Sequence, residues 1–309
     1  MAIERIYAQI MSLIFTSFVI ISRIKKFITS LIQFLNMTAV NNVLKYIFKI
    51  EKPVIAMLHL KPLPGSPHYD PEDTIENIVE AALKDAKALE NGGVDGILIS
   101  NESDIPYLFK VGPETVASMT YVASRIKEEV HIPIGIDVLW GDARAALAIA
   151  KVIGSKFIRT LISGVYASDL GLINTEGAEI MRYRKFIGAD NVKIFIYLNP
   201  EFASPLSLRP LTIIAKTLRW LRMADAYCVS GPMPGMPPDI DEIKKIKSEV
   251  YDIPIIANTG MNKENIAKYI EYVDGVIVGT SLKVGNITLN PVDEEKVKEF
   301  MNVVRSLRS

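Results

Sequence analysis

From Pro53 onward the chain alternates eight short apolar runs with longer amphipathic stretches, and that rhythm restricts the folds open to it. The runs lie over 54–60, 96–100, 134–139, 157–162, 193–198, 226–230, 255–258 and 276–279 and are rich in β-branched residues. Short runs of this kind fit strands buried on both faces of a parallel sheet. Between them, Asp73 and Glu76 form a capping-box pattern opening a helix over 74–89, which Asn91-Gly92-Gly93 stops. Pro113 starts the next helix, Asp142 caps one over 143–153, and Asp239 caps one over 240–250. Further helices are expected over 263–272 and 294–306.

Eight strand–helix units in a segment of roughly 250 residues predict an α/β chain folded as a (β/α)8 TIM barrel. An open doubly wound sheet would alternate strand and helix as well. It is disfavoured because no glycine-rich dinucleotide turn follows the first strand. The stiff loop His59-Leu60-Lys61-Pro62-Leu63-Pro64-Gly65-Ser66-Pro67 follows instead.

In such a barrel, function sits where the strands end. Two consecutive ends carry Gly and Thr: Ile255-Ile256-Ala257-Asn258-Thr259-Gly260 and Gly275-Val276-Ile277-Val278-Gly279-Thr280-Ser281. Glycine lets a backbone approach a ligand closely, and N–H groups at the following helix start favour an anion. A phosphate site after strands seven and eight is therefore expected, built from Asn258, Thr259, Gly260, Gly279 and Thr280, with Lys283 able to join. Tight strand-to-helix turns would need the same glycines.

Other strand ends carry groups for proton transfer. His59 ends the first strand and is an acid–base candidate near neutral pH, or a packed histidine under the proline loop. Asn101, Glu102 and Asp104 follow the second strand, where the two acids offer carboxylates for a metal or for proton transfer, although loop carboxylates are commonly only solvated. Asp137 lies in an apolar strand and would be costly to bury unpaired. Arg159 in the next strand is its partner for a structural ion pair, or else the two clamp an anionic ligand group. Asn199 and Glu201 end the fifth strand, and a loop with four prolines and two methionines, 232–238, follows the sixth.

Composition excludes some functions. The 35 basic residues equal the 35 acidic ones, so no global charge draws the protein to nucleic acid. The single cysteine, Cys228, rules out an intramolecular disulfide and reads as a buried structural thiol. Three histidines leave little material for a histidine-rich metal site, and no cofactor is identifiable.

The N-terminus departs from the rest. Residues 6–22 carry no charge, about the shortest length that spans a membrane, and Arg23, Lys25 and Lys26 follow. That order would keep the C-terminal side cytoplasmic. Residues 24–35 form an amphipathic stretch suited to a membrane surface. Met37 offers a different account, in which 1–36 is an upstream extension outside the working protein. Three parts are thus expected: a hydrophobic helical extension over 1–36, a lead-in over 37–52 and the barrel over 53–309.

Several segments together resemble the BtpA/SgcQ family of TIM-barrel proteins. They are Pro53-Val54-Ile55-Ala56-Met57-Leu58-His59-Leu60-Lys61-Pro62-Leu63-Pro64-Gly65-Ser66-Pro67, Gly92-Gly93-Val94-Asp95-Gly96 and Asp142-Ala143-Arg144-Ala145-Ala146. Phe157-Ile158-Arg159, Asp274-Gly275-Val276-Ile277-Val278-Gly279-Thr280-Ser281-Leu282-Lys283 and Asn290-Pro291-Val292-Asp293 complete the set. The resemblance implies a barrel of the ribulose-phosphate-binding type and suits a start near Met37. One branch of the family is associated with photosystem I biogenesis at thylakoid membranes, and others occur outside photosynthesis without an assigned reaction. Ser100, Asp137, Gly141, Tyr197, Glu201 and Phe202 depart from the family pattern, at strand ends where chemistry is expected. His59, Asn101, Asp104, Arg159 and the two Gly-Thr ends keep it.

Two functions follow as expectations. One is a cytoplasmic enzyme acting on a phosphorylated sugar- or nucleoside-like metabolite. In it His59 and Asp104, with Asn101 beside them, serve proton transfer, and Arg159 orients an anionic group. The other is a non-catalytic assembly factor at the cytoplasmic face of a membrane, with the barrel as scaffold. Fold alone does not choose between them, and self-association is open in both.

Overall fold

A strand that buries both faces needs helices on one side and other strands' side chains on the other, and the eight apolar runs meet both conditions. The computed structural model describes residues 43–308. In chain order its strands are β1 (Val54–His59), β2 (Gly96–Ser100), β3 (Ile134–Asp137), β4 (Phe157–Thr160), β5 (Val165–Ser168) and β6 (Gly171–Asn174). Then come β7 (Lys193–Asn199), β8 (Ala203–Pro205), β9 (Ala226–Val229), β10 (Ile255–Ala257) and β11 (Gly275–Val278). Eight of these close a parallel barrel in the order β1-β11-β10-β9-β7-β4-β3-β2, with β1 pairing both β2 and β11. All eight expected strands are present.

Strand parity divides the core. Ile55, Met57, Leu98, Phe157, Phe195, Cys228, Ile256 and Ile277 point inward and form one buried cluster. Their neighbours, such as Ala56, Leu58, Ile97, Ile158 and Ile196, pack outward against the helices. Inside, the Phe157 and Phe195 rings stack with centroids 4.7 Å apart. Gly135 of β3 makes room for them, because a Cβ there would land on the Phe157 ring.

The helices follow the capping chemistry, with two corrections. Helix Ile75–Gly92 is capped by Thr74, whose hydroxyl accepts from the Asn77 amide at 3.2 Å. The Asp73 expected in that role instead pairs with Lys61 at 2.9 Å. Gly93 (φ 89°) ends Ile75–Gly92 in the left-handed region, and Asp142 and Asp239 cap Ala143–Ile153 and Ile240–Glu249. The helix expected over 263–272 shrinks to Ile266–Tyr269. Its first turn is diverted because the Asn262 side chain accepts from the amides of Glu264 and Asn265, holding a local turn instead. The last helix is longer than expected, Glu294–Arg308.

One feature had no counterpart in the sequence reading. Strands β5, β6 and β8 form a small antiparallel sheet from the segments after β4 and β7. Its Tyr166 and Ile173 bury against Leu139, Trp140, Leu161 and Tyr197, so it buttresses one side of the barrel mouth.

At the opposite end, the helical residues 43–48 close the barrel floor with Leu44, Ile47 and Phe48, all buried. The Phe48 ring meets Phe157 edge-on at 5.4 Å. The hydrophobic extension over 1–36 and the start of the lead-in, 37–42, lie outside the described residues. Among the described residues no helix is long and apolar enough to cross a membrane.

If Phe48 plugs the floor, Phe48→Ala should cost about 3–5 kcal/mol by leaving a cavity under Phe157. Urea denaturation measures this; a loss below about 1 kcal/mol would place the ring outside the core.

Candidate active site

The parity that puts Phe157 inside the barrel puts Arg159, two residues on, inside at its mouth. The same step carries Gly135 to Asp137, Phe195 to Tyr197, Ile256 to Asn258, Ile277 to Gly279 and Met57 to His59. The C-terminal mouth therefore inherits a ring of polar groups above an apolar floor. They surround a cavity of about 530 Å³.

Arg159 is its most demanding member, buried to 5% exposure. Its Nε and Nη2 donate to Asp137 Oδ2 at 3.1 and 2.5 Å, and its Nη1 donates to Asn258 Oδ1 at 2.6 Å. The guanidinium also lies over the Tyr197 ring, 4.8 Å from its centroid. Burial raises the Asp137 carboxyl, and Arg159 opposes the rise. Because Asn258 Oδ1 faces Arg159, its Nδ2 faces the other way, donating to Ser230 Oγ at 2.8 Å and Glu201 Oε1 at 3.4 Å. Glu201 is buried and lines the cavity. Desolvation pushes its carboxyl up, again opposed by Arg159.

Across the mouth stands His59. Its Nδ1 lies 2.9 Å from the Thr288 carbonyl, which can only accept, so Nδ1 carries the proton and Nε2 keeps its lone pair. Burial pulls the imidazole pKa below its ordinary value of 6.5, with Glu102 opposing. Glu102 Oε2 sits 3.8 Å from Nε2 and accepts from Ser100 Oγ at 3.2 Å. The Tyr107 hydroxyl reaches the Glu102 carbonyl at 3.0 Å.

The third part of the rim is the Gly-Thr pair of ends. Thr259, Gly260, Gly279, Thr280 and Ser281 line the cavity. Among the described residues, their backbone N–H groups have no protein acceptor. The two glycines differ in kind. Gly260 (φ +66°) is held by the backbone of Met236 and Pro237, on which a Cβ would collide. At Gly279 a Cβ would make only ordinary contacts, with Met57 Cγ at 3.4 Å and His59 Cε1 at 3.7 Å, and the position lines the cavity. Lys296, at the start of the last helix, also lines the cavity, and its Nζ donates to Lys283 O and Asn286 Oδ1 at 3.1 and 2.7 Å. It has no carboxylate within ion-pair distance among the described residues.

Of the residues singled out from sequence, His59, Glu102, Arg159, Glu201, Asn258, Thr259, Gly260, Gly279 and Thr280 come together here. Asn101, Asp104, Asp137, Asn199 and Lys283 lie outside the cavity lining. Asp104 accepts from the Leu63 amide at 2.8 Å and from Asn101 Nδ2 at 3.0 Å, while Asn101 Oδ1 accepts from the Leu139 amide at 2.7 Å. Both thus pin loops together. Lys283 is buried and reaches Asp85 at 3.5 Å. Sequence reasoning passed over Lys296, Thr288 and Tyr107, which reach the rim from segments with no strand-end signal.

A family model described as the BtpA family matches residues 50–306. The chain belongs to the BtpA family. It is 39% identical over 265 residues to the sgc region protein SgcQ of Escherichia coli K12, covering 86% of this chain and 98% of the relative. It is 36% identical over 260 residues to the photosystem I biogenesis protein BtpA of Synechocystis sp. PCC 6803, covering 83% and 89%. Among solved structures it resembles (S)-3-O-geranylgeranylglyceryl phosphate synthase from Thermoplasma acidophilum, solved with its substrate sn-glycerol-1-phosphate. There the TM-score is 0.55 at 14% identity, covering 86% of this chain and 98% of that one, a likeness of fold alone.

Two outcomes follow for this BtpA-family site. Asp137→Ala should cost about 3–5 kcal/mol by stranding Arg159, whereas Asp137→Ala with Arg159→Met should recover much of the loss in urea denaturation. Equal losses would remove the ion pair as the organising element. Nitrogen NMR of the imidazole should find His59 still neutral and Nδ1-protonated below pH 6.5. Because the unfolded imidazole takes up its proton near 6.5 and the folded one does not, acidification below that point costs stability until the folded pKa is reached. A midpoint at or above 6.5 would contradict the burial argument.

Proposed function

We propose that this protein binds a phosphorylated sugar- or nucleoside-like metabolite at the barrel mouth and moves a proton on it. The observation that carries this reading is the pair of strand ends after β10 and β11, where unpaired N–H groups line the cavity beside Lys296. Backbone donors and a cation without a carboxylate partner suit a phosphate. These are also the last two strands of the barrel, where phosphate sites of this fold occur. The synthase that shares the fold takes a phosphate-bearing substrate.

The acid–base groups flank that cradle. β1 and β7 stand four strands apart in the eight-strand ring, so His59 and Glu201 face each other across the mouth. His59 Nε2, with its lone pair free, accepts a proton from a carbon beside a carbonyl. Glu201, whose carboxyl burial pushes up, donates to the carbonyl oxygen when protonated. The product is an enol, the carboxylate of Glu102 stabilises the imidazolium, and Arg159 stabilises charge developing on oxygen. Two titratable groups buried in one cleft with opposite shifts favour ligand chemistry over a scaffold role.

Thermal-shift screening of the full-length protein against sugar phosphates and nucleoside monophosphates should find a saturable rise in melting temperature. Gly279→Leu, which extends a side chain from the β11 end where Gly279 lines the cavity, should abolish it, and Lys296→Gln should weaken it about tenfold. In deuterated water, His59→Gln should slow exchange of the ligand's carbon-bound proton by at least about 100-fold. A folded protein that no phosphate compound stabilises would sink the reading.

A further inference from the structure

The aromatic residues of the cavity gather on one side. Opposite β10 and β11 in the ring stand β3 and β4, flanked by β2 and β7, and from these the lining adds Tyr107, Leu139, Trp140, Tyr197 and Phe202 to the charged Glu102, Arg159 and Glu201. Most of this wall belongs to the apolar cluster that the small antiparallel sheet supports from behind. Packing accounts for Trp140 and Tyr197, at 6% and 5% exposure. It does not account for Phe202, which is 36% exposed and held at φ 55°, a left-handed conformation that bulky side chains rarely adopt. A strained aromatic turned toward a cleft is a feature of ligand sites rather than of cores. The cavity, about 530 Å³, also lies within the range of roughly 300–1,000 Å³ that takes drug-sized ligands, ample for more than a small sugar phosphate.

We infer that the site selects phosphorylated metabolites bearing a planar ring, the phosphate on the β10–β11 ends and the ring against the Phe202–Trp140–Tyr107 wall. This rests on the phosphate reading above and adds the chemical class of the far end. Aromatic walls hold planar heterocycles by stacking, with little preference among them. The acid–base axis from His59 to Glu201 then crosses the ligand between ring and phosphate, at its sugar-like middle.

The test is titration of the full-length protein with the four nucleoside 5′-monophosphates, ribose 5-phosphate and the four unphosphorylated nucleosides. At least one nucleotide should bind about tenfold or more tightly than ribose 5-phosphate. Phe202→Gly should erase that advantage while leaving ribose 5-phosphate affinity within about twofold. Because glycine accepts φ 55° without strain, the variant should melt no lower than the parent, so a lost advantage is not an unfolding effect. If ribose 5-phosphate binds as well as every nucleotide, the ring inference falls and the phosphate reading stands. If nucleosides bind as tightly as their phosphates, the phosphate reading falls. If none of these compounds binds, both fall.

Discussion

A guanidinium at the axis of an apolar barrel cannot shed its proton, so the residues around Arg159 must answer its charge. Asp137 does so from the neighbouring strand in register, since Asp137 and Arg159 are direct partners in the β3–β4 ladder. The consequences spread from there. With Asn258 Oδ1 committed to Arg159, the Asn258 amide nitrogen must turn to Ser230 and Glu201. That fixes Glu201 above β7 and fixes the end of β10 where Thr259 and Gly260 begin. One buried charge on β4 thereby sets the positions of the acid on one side and the anion cradle on another.

The two ends of the barrel carry separate tasks. The floor is apolar and closed by Phe48, Phe157 and Phe195. The mouth holds the costly groups: a buried ion pair, a desolvated carboxyl, and a histidine kept neutral by burial. Asp137 Oδ1 has no partner among the described residues, a further cost accepted at this end. Parallel strands make the division natural, because every strand contributes its last inward residue to the same face.

That division also explains what was legible in the sequence. The eight strands could be read because each is short, apolar and rich in β-branched residues, and Arg159 with Asp137 stood out because charges in such strands demand partners. The β5–β6–β8 sheet was not legible: its strands run only three or four residues, and their burial depends on Trp140 and Tyr197 from distant segments. The Asp73 cap failed for a related reason, since Thr74 one residue later is as good a cap and Lys61 competes for the Asp73 carboxylate. Lys296 sits in an ordinary amphipathic helix, and only the fold of the preceding segment brings it to the cavity.

Lys283 and Lys296 show why a motif's cation need not be the cation that acts. Lys283 closes the Gly-Thr-Ser-Leu-Lys run, and its spacing from Gly279 suggests a phosphate ligand. Yet the segment between Thr280 and Lys283 is a turn of 3-10 helix, which aims the Lys283 side chain back toward helix Ile75–Gly92 and Asp85. What Lys283 presents to the mouth side is its carbonyl, and Lys296 Nζ donates to it. Asp85 meanwhile accepts from the Val292 amide, holding the strand of chain that leads into the Lys296 helix. The buried lysine, its acidic partner and its carbonyl together place a second lysine, so the residue in the motif positions while one thirteen positions later faces the cavity.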